Sequence, residues 1–119
     1  MTITVFDKDK KNNIRQSNFL IEAKYKLTRQ EMRIVNTLKA MISPESNNYR
    51  INLKEIAGII DSKSDSLIPD LRKAADGLLK KPIKIYQEDT ITQMNWISSF
   101  TLTKGATFAT FAVDPLIKP

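Results

Sequence analysis

The chain has 119 residues, 41% of them hydrophobic, enough for the core of one domain and not for two. It contains no histidine and no cysteine, which excludes Ser/His and Cys/His nucleophile pairs and metal sites built on imidazole or thiolate. Nineteen basic residues against thirteen acidic ones give a formal charge of +6, which favours an anionic partner without naming it.

Three glycines, Gly58, Gly77 and Gly105, leave no GxGxxG fingerprint and no GxxxxGK[ST] phosphate loop. The acidic residues stand singly except for Glu88 and Asp89, side by side in an expected turn where they would not converge on a substrate. No enzyme, catalytic residue, metal or cofactor is expected. No apolar run approaches the roughly 18 residues of a membrane span, and "MTITVFDKDKKNN" is too polar for a signal peptide, so the expected location is the cytoplasm.

Residues 1–16 carry Lys8, Lys10, Lys11 and Arg15 with almost no apolar periodicity. They read as a flexible basic tail, holding at most a short strand at Ile3 to Phe6; the tail is either solvated or an arm that reaches DNA. Residues 17–119 read as one domain. Thr28 and Glu31 form a T-x-x-E capping box, and Leu27 before the cap can act as half of a hydrophobic staple with Met32. Ile34, Val35, Leu38, Met41 and Ile42 recur at helical spacing, which predicts a helix from about Arg29 to Ile42, with Arg29 and Arg33 on the opposite face, solvated sooner than ligand-binding.

"YRINL" alternates as a short strand, and Asn52 with Glu55 repeats the cap spacing before a two-turn helix through Ile56, Ala57 and Ile60. "DSKSD" makes a polar turn. A third helix begins near Ser66, with Pro69 tolerated in its first turn and Leu67, Leu71, Ala74, Ala75 and Leu78 as its buried stripe. Short helix, tight turn and longer helix together predict a helix-turn-helix. From Pro82 the period changes to that of strands: "IKIYQ", then "ITQMNWISSFTLT", then "TFATFAV", joined by turns at "EDT" and at Lys104 and Gly105. The expected fold is α+β, a winged helix with a three-stranded antiparallel sheet as its wing.

On the third helix Ser66, Lys73 and Lys80 point away from the leucine stripe, with Gly77 beside them either as a close-approach site or as a plain helix weakness. Lys63, Lys73, Lys80, Lys81 and Lys84 are candidate phosphate contacts, with the ordinary charged helix face as the alternative. Asp70 and Asp76 flank that surface, and no Arg, Asn or Gln is expected there in position for bidentate base readout. The long middle strand is expected to place Trp96 under the helices and Asn95, Ile97 and Ser99 on the other face, where an uncovered edge makes them candidates for a homodimer contact.

"QSN" at Gln16 to Asn18, "LIEA" at Leu20 to Ala23, "YKLT" at Tyr25 to Thr28 and "EMR" at Glu31 to Arg33 open an ordered set of motifs. "LRKAADGLLKKPIKI", the tryptophan in "NWISSF" and the closing "FAVDPLIKP" complete it. The set resembles the iteron-binding plasmid replication initiator (Rep) family over about Arg15 to Pro119. The resemblance implies a bacterial initiator whose two winged-helix domains bind repeated duplex sequences at a plasmid origin as a monomer, and which as a dimer represses its own synthesis or stays inactive for initiation. It further implies that the second domain supplies most base readout, while the first supplies the dimer interface and largely backbone contacts. The chain then corresponds to the N-terminal half. A self-standing dimerisation module and a winged-helix transcriptional regulator are the alternatives.

Overall fold

The computed structural model describes residues 2–6, 23, 26–43, 45–63, 65–87 and 89–114. Most of the basic tail, the first resemblance motifs and the last five residues lie outside that set. Strand β1 is Ile3–Phe6, helix α1 Arg29–Met41, β2 Asn48–Asn52, α2 Leu53–Ile59 and α3 Leu67–Leu79. The remaining strands are β3 Ile83–Gln87, β4 Thr90–Met94, β5 Ile97–Leu102 and β6 Phe108–Val113.

The helices begin where their capping residues require. Thr28 Oγ1 accepts from the Glu31 N–H at 3.2 Å and Glu31 Oε1 accepts from the Thr28 N–H at 2.9 Å, so the capping box at α1 is complete in both directions. Leu27 is buried and Met32 packs against the same core, as a staple requires. Asn52 Oδ1 accepts from the Lys54 N–H at 2.8 Å and starts α2 directly at the end of β2. α3 keeps Pro69 in its first turn and buries Leu71, Ala74, Ala75 and Leu78.

The strands depart from the expected single sheet. They form two sheets of three strands, ordered β1-β3-β4 and β2-β6-β5. The expected long middle strand is divided at Asn95 and Trp96: β4 pairs with β3 in one sheet and β5 with β6 in the other. Asp114 Oδ2 accepts from the Asn95 N–H at 2.9 Å and holds the crossing point. Trp96 is buried there, its Nε1–H without an acceptor among the described residues. Ile3 to Phe6 does not belong to a solvated tail: β1 runs parallel to β3, its Ile3 N–H donates to the Pro82 carbonyl at 2.8 Å, and Ile3 is part of the core.

The register of β5 against β6 slips between Ile97 and Ser99. The bulge resets the alternation, so Ile97, opposite Val113, and Phe100, opposite Phe111, both turn to the core although they are an odd number of residues apart. Phe100 and Phe111 lie with ring centroids 5.2 Å apart. The inner faces of both sheets and the apolar stripes of α1, α2 and α3 meet in one core centred on Trp96, Phe111, Ile56, Leu71 and Leu78.

Candidate nucleic-acid interface

The turn between α2 and α3 is held by side chains from three elements. Asp61 takes a left-handed conformation, φ 54°, which a short polar residue tolerates. Ser62 Oγ donates to Asp70 Oδ2 at 2.7 Å and Ser66 Oγ donates to the Lys63 carbonyl at 3.2 Å, tying the turn to the start of α3. Ser66 occupies the cap position of α3 but makes no side-chain cap, its hydroxyl being used within the turn. From α1, Gln30 Nε2 donates to the Ile60 carbonyl and Arg33 Nη1 to the Ile59 carbonyl, each at 3.3 Å. They satisfy carbonyls at the end of α2 that have no helical partner. Arg33 is thus half-buried and structural, while Arg29 is exposed as its position predicts.

The inner side of α3 contains an arrangement that sequence spacing does not reveal. Lys81 Nζ lies 2.6 Å from Glu31 Oε1, with side-chain exposures of 18% and 5%. The same carboxylate therefore serves the cap of α1 and the ammonium beyond the end of α3. Its other oxygen sits against Gly77, where an added Cβ would overlap it. Two expectations about placement are corrected: Lys81 is turned inward as the counter-ion of Glu31 and does not stand free on the outer surface, and the space at Gly77 is taken by the Glu31 carboxylate.

On the outer side, Lys63 is exposed in the turn, Lys73 midway along α3 and Lys80 just past its end. Lys80 Nζ is 2.8 Å from Asp76 Oδ2 in an exposed pair. Neither Lys63 nor Lys73 has an ion-pair partner among the described residues. Lys84 belongs elsewhere, half-buried on β3 with Nζ 5.3 Å from the Tyr86 ring centroid. The two acids that flank the surface are both engaged, Asp70 by Ser62 and Asp76 by Lys80.

Sequence reasoning missed Arg72. It is exposed on α3, beside a groove of about 670 Å³ lined by Ile68, Arg72, Lys73, Asp76, Leu79 and Phe100 among others. The signal was available: Ile68, Arg72, Asp76 and Leu79 are four, four and three residues apart and run beside the buried stripe. Lys104, exposed in the β5–β6 turn that Gly105 closes with φ +84°, is a further cation on the wing.

The three candidate dimer residues do not form one surface. Ile97 is fully buried in the core and not on the uncovered face expected for it, because the bulge in β5 turns it inward. Asn95 is half-buried, its backbone N–H occupied by Asp114. Ser99 is exposed on β5, an edge strand of its sheet.

A family of replication proteins described as "Initiator Replication protein, WH1" matches residues 13–119. Among solved structures, the WH1 domain of MSBI1.176, a replication protein isolated from a multiple sclerosis patient, is similar with a TM-score of 0.61 at 13% identity, over 86% of each chain. That likeness establishes the winged-helix fold. No curated protein sequence matches the chain. With nearly its whole length matched and with helix-turn-helix and wing in place, the chain belongs to the replication initiator WH1 family and is the N-terminal winged-helix domain of a plasmid replication initiator.

Proposed function

We propose that this domain holds an initiator on duplex DNA at plasmid origin repeats through cations of the helix-turn-helix that contact phosphates, without chemistry of its own. The observation that carries this reading is the sorting of charge around α3. Lys63 and Lys73 stand outside without an ion-pair partner among the described residues, whereas Lys81 is drawn inside to Glu31. Ammonium groups free of carboxylates release counterions on meeting phosphates, a favourable and salt-dependent contribution. Fluorescence anisotropy of a labelled duplex tests it. The chain should bind with log affinity falling as log salt rises, and K73E combined with K80E should abolish binding. Unchanged binding by the double variant would overturn the reading.

A second role, homodimerisation, is favoured by the edge of β5. Ser98, Ser99 and Thr101 are exposed there, and the strand bears no charge or proline of the kind that keeps edges from pairing. S99K should yield a monomer by light scattering. A variant of unaltered dimer mass would remove β5 from the interface, and a wild-type monomer would remove the role.

A further inference from the structure

We infer that the groove between α3 and β5 is a docking site for an acidic amphipathic helix of another protein, whose arrival there excludes duplex DNA. Only the exclusion rests on the duplex-binding reading; the docking stands on the groove itself. Ile68, Pro69 and Leu79 at α3 and Phe100 on β5 give it an apolar floor, with Arg72, Lys73 and Asp76 beside them, around a volume of about 670 Å³. Four large hydrophobic side chains are exposed among the described residues, and two of them, Ile68 at 38% and Leu79 at 40%, lie in this groove. Scattered singly they would need no explanation, but gathered on one concave surface they mark an interaction site.

The charge of the rim selects the occupant. Lys80 pairs with Asp76 at 2.8 Å, while Arg72 and Lys73 have no ion-pair partner among the described residues, so the uncompensated charge is positive. A second copy of the chain fits poorly, because a two-fold contact through this face would set Arg72 and Lys73 of one copy against the same pair of the other. Acidic residues do not outnumber basic ones in α1, α2 or α3, so none of these helices supplies the complement. Phosphates of a duplex would meet the two cations and leave Ile68, Leu79 and Phe100 in water. A helix with carboxylates flanking an apolar seam satisfies both parts of the groove. Ile68 and Leu79 stand about 16 Å apart along α3, the length of about three turns of such a helix. A permanently tethered helix would keep Lys73 from DNA at all times, which assigns the occupant to a separate protein that comes and goes.

The probe is a labelled synthetic peptide about four helical turns long, with leucines along one face and glutamates elsewhere, titrated by fluorescence anisotropy. One control peptide has the same composition with the leucines scattered around the helix, and another has lysine in place of glutamate. They are titrated into wild type, I68D and R72E/K73E, whose substitutions lie on the helix surface and whose folding circular dichroism checks. Wild type should bind the acidic amphipathic peptide at least about 10-fold tighter than the scattered one, the return of burying one leucine. I68D should lose that preference, and R72E/K73E should prefer the lysine peptide. Unlabelled peptide should displace a labelled duplex from wild type. Equal binding of the amphipathic and scattered peptides, or a preference that I68D and R72E/K73E leave intact, would overturn the docking site while sparing the duplex-binding reading. Docking without displacement of a bound duplex would overturn the exclusion alone. A peptide that binds as expected to a chain that binds no duplex would overturn the duplex-binding reading and leave the docking site standing. Self-association of wild type that I68D abolishes, with no peptide bound, would assign the groove to a second copy instead.

Discussion

The two sides of α3 use the same residue types for opposite purposes. Lys80 and Lys81 are neighbours in sequence, yet Lys80 lies outside with 71% of its side chain exposed in a pair with Asp76, and Lys81 lies inside with 18% exposed, held by Glu31. A positive residue near a helix-turn-helix is therefore not by itself a DNA contact. Its use depends on which carboxylate the tertiary fold brings to it. Inside, charge fixes the helix to the domain; outside, charge and apolar tips face the solvent, and Lys80 pairs there with Asp76.

Breaking the inner side should cost most. I97D would bury an unpaired carboxylate at a fully enclosed position and should remove about 4 kcal/mol or more of stability, seen as loss of the cooperative urea transition. That outcome separates a core residue from an interface residue, since an interface residue would yield a folded monomer. K81M should cost about 3 kcal/mol, because Glu31 would keep its burial and lose its counter-ion. G77A should cost about 2 kcal/mol: displacing Glu31 costs about as much as K81M, offset by the roughly 1 kcal/mol that alanine gains in a helix. A stabilised G77A would show that the carboxylate moves aside freely. K80A sharpens the contrast from the other end, with an expected change of about 0.5 kcal/mol or less for an exposed pair one helical turn apart.

Local pattern carried the helices and their caps. Thr28 with Glu31, and Asn52 at the start of α2, were legible because a cap is satisfied within three residues of itself. The short strand at Ile3 to Phe6 was legible too, but its parallel pairing with β3 was not, since alternation says nothing about which strand lies alongside. The division of the long middle segment escaped for a related reason. Met94 and Trp96 keep the alternation of one strand, and only the bulge after Ile97 and the capture of the Asn95 N–H by Asp114 reveal that the chain changes sheets there.

Around α3, Lys63 is exposed in the turn before the helix, and Lys73 lies on the outer surface where helical periodicity puts it. Lys81 did not, because its partner Glu31 is fifty residues away and no spacing rule reaches that far. Gly77 was misread by the same route: a glycine in a helix looks permissive until the group that fills its missing Cβ is known. Arg72 is not among the lysines that helical spacing singles out on α3, and lies on the exposed stripe that runs through Ile68 and Leu79.

The most direct test of the division between the two sides is the salt slope of duplex binding for wild type, K63A/K73A and K81M, each under conditions where it is folded. The outer double variant should lower the slope by about 1.8, about 0.9 for each phosphate contact removed, while K81M should match wild type. Equal slopes for wild type and K63A/K73A, or a loss confined to K81M, would contradict the proposed use of the outer side for DNA and of the inner side for the fold.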